Sequence, residues 1–159
     1  MAEKRVVTAD PNYTVPLLLE GKEVQSDVTF PVISPTSQKE LWKSSSATLE
    51  HVKTATSAAQ AAFPKWSKMK PAAKRDIFMK AADIIDARAV ELAEYMKLET
   101  GATSPFADGF NVPKTADMLR DVAGRLSTIT GSIPTCESEG TSAFIVKEPL
   151  GTVLAIAPW

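Results

Sequence analysis

Residues able to do chemistry are few in this chain. Cys136 is its one thiol and His51 its one imidazole. A nucleophilic cysteine needs its thiolate, and Glu137 and Glu139 place negative charge beside Cys136, which opposes that form. A loop thiol is the plainer reading. His51 follows Glu50 near the start of a helical pattern, with no second histidine or activated serine to complete a dyad, so it reads as a solvated helix residue. Asp83 with Asp86, and Glu91 with Glu94, put two carboxylates on one helix face, yet both pairs lie among lysines and arginines and read as a polar helix surface. One histidine, one cysteine and scattered acids do not amount to a metal-ligand set. The seven glycines fall into neither common phosphate loop. Trp42 and Trp66 are candidates for stacking on a ligand, although strand and helix packing account for both. Read from residues alone, the chain holds a scaffold and no complete active site.

The elements that must position these residues are bounded by composition. A chain of 159 residues, 44% hydrophobic, is large enough for one ordinary core. Its 18 basic and 19 acidic residues are interspersed, without the basic block that would track a phosphate backbone, so nucleic acid is excluded as a partner. The first residues lack an apolar signal segment and no window is long enough to span a bilayer. Together with the lone cysteine this points to the reducing cytoplasm. Asn12, Tyr13 and Thr14 match a glycosylation sequon, read here as chance.

The apolar segment 15–19, the turn Glu20, Gly21, Lys22, and segments 30–33 and 40–43 predict short strands, with a turn at 35–38. Pro16 and Pro31 confine their strands to a sheet edge, because proline cannot donate to a ladder. From Thr48, a plausible N-cap, the period becomes helical: Leu49, Val52, Thr56, Ala59, Phe63 and Trp66, with Pro64 as the stop. A second helix is expected over 71–98, with a glycine stop at Glu99, Thr100, Gly101. A third carries Ala116, Leu119, Val122, Ala123, Leu126 and Ile129 and closes at Gly131. After a polar loop, 142–147 reads as a strand around Phe144, Ile145 and Val146. The unbroken apolar run from Val153 to Ala157, between Gly151 and Pro158, reads as a strand covered on both faces, as in a parallel sheet. No linker divides the chain.

Several of these segments, in order, resemble the aldehyde dehydrogenase superfamily. The stretch Ala58, Ala59, Gln60, Ala61, Ala62, Phe63, Pro64, Lys65, Trp66 is similar to an alanine-rich helix near the start of its members. Ser34, Pro35, Thr36 resembles their early turn, 75–82 the next helix, and Glu99, Thr100, Gly101 their Glu, Thr, Gly step. The most specific likeness is Lys147, Glu148, Pro149, Leu150, Gly151 followed by Ala155, Ile156, Ala157, Pro158, Trp159, the segment that enters the cofactor domain. Ile129 to Pro134 after Asp121, Val122, Ala123, Gly124 resembles the salicylaldehyde and vanillin dehydrogenases within the superfamily.

The likeness covers nearly the whole chain but only about the first third of a family member. It implies an incomplete aldehyde-dehydrogenase-like α/β fold organised as one unit. Residues 1–12 would be a flexible tail, 13–44 the N-terminal edge strands, and 48–131 a helical layer of three main helices. Residues 141–148 would be an oligomerisation-type strand, and 151–159 the first strand of a Rossmann-like cofactor sheet. By the same resemblance Ile156, Ala157, Pro158 and Trp159 would border NAD or NADP. The family's oxyanion asparagine, glycine loop, general base and catalytic cysteine lie beyond the matched region, and Cys136 does not inherit the cysteine's role. The family reaction is NAD(P)-dependent oxidation of an aldehyde to a carboxylic acid. The chain as written is expected to be inactive alone, with a noncatalytic module that pairs with full-length relatives through 141–148 as the alternative.

Overall fold

The computed structural model describes residues 7–157. Its N-terminal part is built from five short strands: β1 (Thr14–Val15), β2 (Leu17–Leu19), β3 (Lys22–Val24), β4 (Thr29–Ile33) and β5 (Glu40–Ser45). Pro16 separates β1 from β2, as a residue without an amide proton must. β2 and β3 form a hairpin whose loop residues, Glu20 (φ 53°) and Gly21 (φ 76°), are both left-handed, the combination that matches the twist of a two-residue hairpin. The other three strands make a sheet in the order β1-β5-β4, with β1 parallel and β4 antiparallel to β5. Pro31 lies on β4 at the sheet edge, as expected for a residue that cannot donate. The register shifts between Val32 and Ile33, leaving Leu41 unpaired while Val32 pairs with Trp42 and Ile33 with Glu40. Leu41 and Trp42 are both buried at this bulge.

Helix α1 (Leu49–Ser67) starts at Thr48, whose side chain accepts the His51 N–H while the His51 ring Nδ1 accepts the Thr48 N–H. His51 is therefore half of a reciprocal cap and not simply a solvated side chain. Pro64 does not end α1, which continues to Ser67. Proline's φ is already helical, so this close to the end the loss is confined to the bond its nitrogen would have made.

The expected 71–98 helix is two: α2 (Pro71–Ala87) and α3 (Ala89–Thr100), broken at Arg88 (φ −107°, ψ 12°). Gly101 (φ 71°) closes α3. A short turn α4 (Ser104–Phe106) leads through a π-helical turn, Ala107–Asn111, into α5 (Val112–Arg125). Pro113 accounts for the wide turn: its ring conflicts with the carbonyl four residues back, which a wider turn moves away. The third expected helix thus ends at Arg125, with one 3-10 turn, Leu126–Thr128, beyond it, and among the described residues four helices of three or more turns replace three.

α2 packs on α5, and apart from Val112 at the start of α5 the buried residues of the two helices are alanines, Ala82, Ala116 and Ala123. Small side chains let two helix backbones approach closely. A second cluster joins Ala93, Ala107 and Val112, with Ile85, Leu92 and Met96 packed against it. No large side chain among the described residues is completely sealed from solvent.

The two expected C-terminal strands form no ladder within the described residues. Residues 142–147 contribute only an isolated antiparallel bridge, Ser132 to Ile145, and 151–157 form no ladder. A strand exists only through a partner, and within the described residues neither run is offered one beyond that bridge. Phe144 and Val146 are each 75% exposed and Leu154 85%. No helix among the described residues is long and apolar enough to cross a membrane.

Candidate functional site

Of the four residues singled out for cofactor contact, the structure describes two. Ile156 and Ala157 are exposed and line none of the clefts around α1 and α3, and Pro158 and Trp159 lie outside the described residues. Exposed apolar side chains hold neither the phosphates nor the ribose of a dinucleotide, so Ile156 and Ala157 do not by themselves fit the group. Cys136 is half-buried in its loop, its Sγ 4.0 Å from the Pro134 carbonyl oxygen. No group of three or more His, Cys, Asp or Glu side chains among the described residues could hold a metal ion.

The acid pairs have structural partners. The Arg120 guanidinium on α5 bridges Asp83, at 3.0 Å, and Asp86 on α2. Those two bonds, Asp86 first, raise its pKa above the ordinary guanidinium value. Arg88 forks onto Glu91 (2.9 and 3.1 Å) at the α2–α3 break, and its pKa is raised chiefly by that hydrogen bond. Lys97 joins Glu94 (2.6 Å) to Asp108 (3.3 Å), tying α3 to the π turn, with its pKa raised first by the Glu94 bond. Trp66 is covered by Lys74, whose Nζ lies 5.4 Å from the ring centroid.

The best-organised polar contact is one the sequence did not announce. Trp42 Nε1 donates to Glu99 Oε1 at 2.9 Å, and the Trp42 ring meets Tyr95 edge-on at 5.6 Å. Tyr95 and Glu99 are four residues apart and so share a face of α3, the spacing that could have signalled them. One residue group further on, Gly101 lies against Pro35 and Thr36: a Cβ there would be 3.2 Å from Pro35 Cγ and 3.3 Å from Thr36 Oγ1. Two segments far apart in sequence, Ser34-Pro35-Thr36 and Glu99-Thr100-Gly101, therefore form one junction between sheet and helices. Each is a motif that resembles the same superfamily.

Comparison with known proteins decides the matter. Residues 22–159 match the aldehyde dehydrogenase family. The chain belongs to that family. It is 37% identical over 149 residues to a vanillin dehydrogenase of a Pseudomonas species, covering 92% of this chain and 31% of the relative. Among solved structures it is similar to a salicylaldehyde dehydrogenase of Pseudomonas putida complexed with salicylaldehyde, with a TM-score of 0.77, 26% identity, and coverage of 87% of this chain and 28% of that one. It is also similar to PnpE in complex with nicotinamide adenine dinucleotide, with a TM-score of 0.73, 30% identity, and coverage of 81% and 26%. The 159 residues thus span less than a third of the length of these relatives and correspond to an N-terminal portion of the family fold. Among the described residues its strands form a three-stranded sheet and a two-stranded hairpin, not a closed Rossmann sheet.

Proposed function

We propose that these residues serve an NAD(P)-dependent aldehyde dehydrogenase that converts an aldehyde to a carboxylic acid, with aromatic aldehydes as its substrate class. The family match over residues 22–159 carries this reading, and the likeness to vanillin and salicylaldehyde dehydrogenases supports the substrate class. Within it the chain acts as one unit in the cytoplasm, and Ile156, Ala157, Pro158 and Trp159 form one wall of the cofactor site. A bound NAD or NADP would supply the hydride acceptor for that oxidation. Covalent aldehyde chemistry requires nucleophile, oxyanion donor, base and oriented cofactor together, so the 159 residues alone do not turn over.

The test is to incubate the purified chain with vanillin or salicylaldehyde and either nicotinamide cofactor. No reduced cofactor is expected, whereas a polypeptide extended through the rest of the family region should produce it. Turnover that stays with the 159-residue chain through successive purification steps would contradict the reading, as would an extended polypeptide that folds and oxidises no aldehyde.

The exposure of Phe144 and Val146 favours a second reading, a noncatalytic module that pairs its 141–148 segment with full-length relatives. Co-purification with a tagged relative, lost on Val146→Lys, is its test. Retention of the complex by that variant would remove the role given to the segment.

A further inference from the structure

We propose that the cleft between the N-terminal strands and α3 is a binding site for a small organic cation with an aromatic or aliphatic body. The cleft has a volume of about 680 Å³, and Asp10, Tyr13, Trp42, Arg88, Tyr95 and Glu99 are among its lining residues. That size lies within the roughly 300–1,000 Å³ of small-molecule sites. Three aromatic rings against two carboxylates define the chemistry, because ring faces and carboxylates both attract a cation.

The charges around the cleft carry the sign of the ligand. Arg88, the one lining cation among the described residues, is already forked onto Glu91, so its charge is met. Among the described residues the contacts formed by the two lining acids bring no positive charge: Asp10 Oδ1 accepts the Asn12 backbone N–H at 3.0 Å, and Glu99 Oε1 accepts the Trp42 indole N–H. Among the described residues a carboxylate ligand would face Asp10 and Glu99 without an uncommitted cation, whereas an ammonium is matched in sign to both. Trp42, 4% exposed and held edge-on by Tyr95, forms a fixed apolar back wall. Tyr13 and Tyr95 are more open to solvent and leave the cleft accessible.

The experiment titrates the whole chain with benzyltrimethylammonium and follows the Trp42 indole N–H resonance, assigned by its loss in Trp42→Phe. Benzyl alcohol and benzoate serve as neutral and anionic counterparts. A saturable shift with the cation alone is expected, and Asp10→Asn and Glu99→Gln should each weaken it roughly threefold to tenfold. Glu99→Gln keeps an oxygen acceptor for the indole. Should it nevertheless fail to fold, Asp10→Asn, at an exposed position, decides the question. No saturable shift, an equal response to benzyl alcohol or benzoate, or unchanged affinity in a folded Asp10→Asn would each overturn the proposal.

Discussion

Trp42 and Glu99 are joined by a 2.9 Å hydrogen bond across 57 residues of sequence, and this contact fastens the N-terminal sheet to the helical layer. The indole is buried and its N–H donates to a carboxylate, a combination stronger than a neutral bond. Glu99→Ala would leave the donor buried without its acceptor, at a cost of about 1–3 kcal/mol. Urea unfolding followed by tryptophan fluorescence should show a lower midpoint with an unchanged slope. An unchanged midpoint would mean the indole finds another acceptor or water.

The glycines divide into positions that need the missing Cβ and positions that do not. Gly101 combines a positive φ with a close approach to Pro35 and Thr36, while Gly124 sits inside α5 with open space around it. Gly101→Ala should destabilise by about 1–2 kcal/mol from the left-handed backbone alone, and contact with Pro35 adds to that. Gly124→Ala should instead stabilise by up to about 1 kcal/mol through helix propensity. Thermal melts of the two variants on the same day, moving in opposite directions, are the expected result.

Gly131 protects the one bridge formed by the 142–147 segment. A Cβ on it would collide with the Ile145 carbonyl oxygen, which accepts the Ser132 N–H. Gly131→Ala should therefore open the Ser132–Ile145 bridge while leaving the α2–α5 packing intact. Amide exchange reads this directly: faster exchange at Ser132 and Ile145, with α2 and α5 unchanged.

Arg120 links α5 to α2 through Asp83 and Asp86, all three at the surface to differing degrees. Its raised pKa means the stabilisation is complete below the ordinary guanidinium value and is lost only as pH climbs past the raised one, in strong alkali. From Arg120's own titration, no pH dependence is expected near neutrality. Arg120→Gln should lower Tm by about 2–4 °C or less in low salt, and the difference should shrink as salt screens the wild-type pairs.

The Thr48 cap matters more than its exposure suggests, because α1 contains no buried residue to hold its first turn by packing. Thr48→Ala should cost about 1 kcal/mol and fray that turn, seen as faster amide exchange at His51 and Val52. Equal exchange in the two proteins would show that His51 alone maintains the cap.

Local rules carried much of the architecture. Thr48, Pro71 and Gly101 mark helix ends because capping and proline geometry act over a few residues, and Pro31 could lie only on an edge strand. Ordered motifs carried the family. Arg88 shows the limit: Ala87, Arg88 and Ala89 all favour a helix, so nothing local announces the break between α2 and α3. Burial of Trp42 over α3, the pairing of Tyr95 and Glu99 around it, and the meeting of Pro35 with Gly101 depend on contacts across more than fifty residues. The run from Val153 to Ala157 makes the same point in reverse. Its composition specifies a side chain set suited to a covered strand, but hydrogen-bonded neighbours make a strand, and those are supplied in three dimensions or not at all.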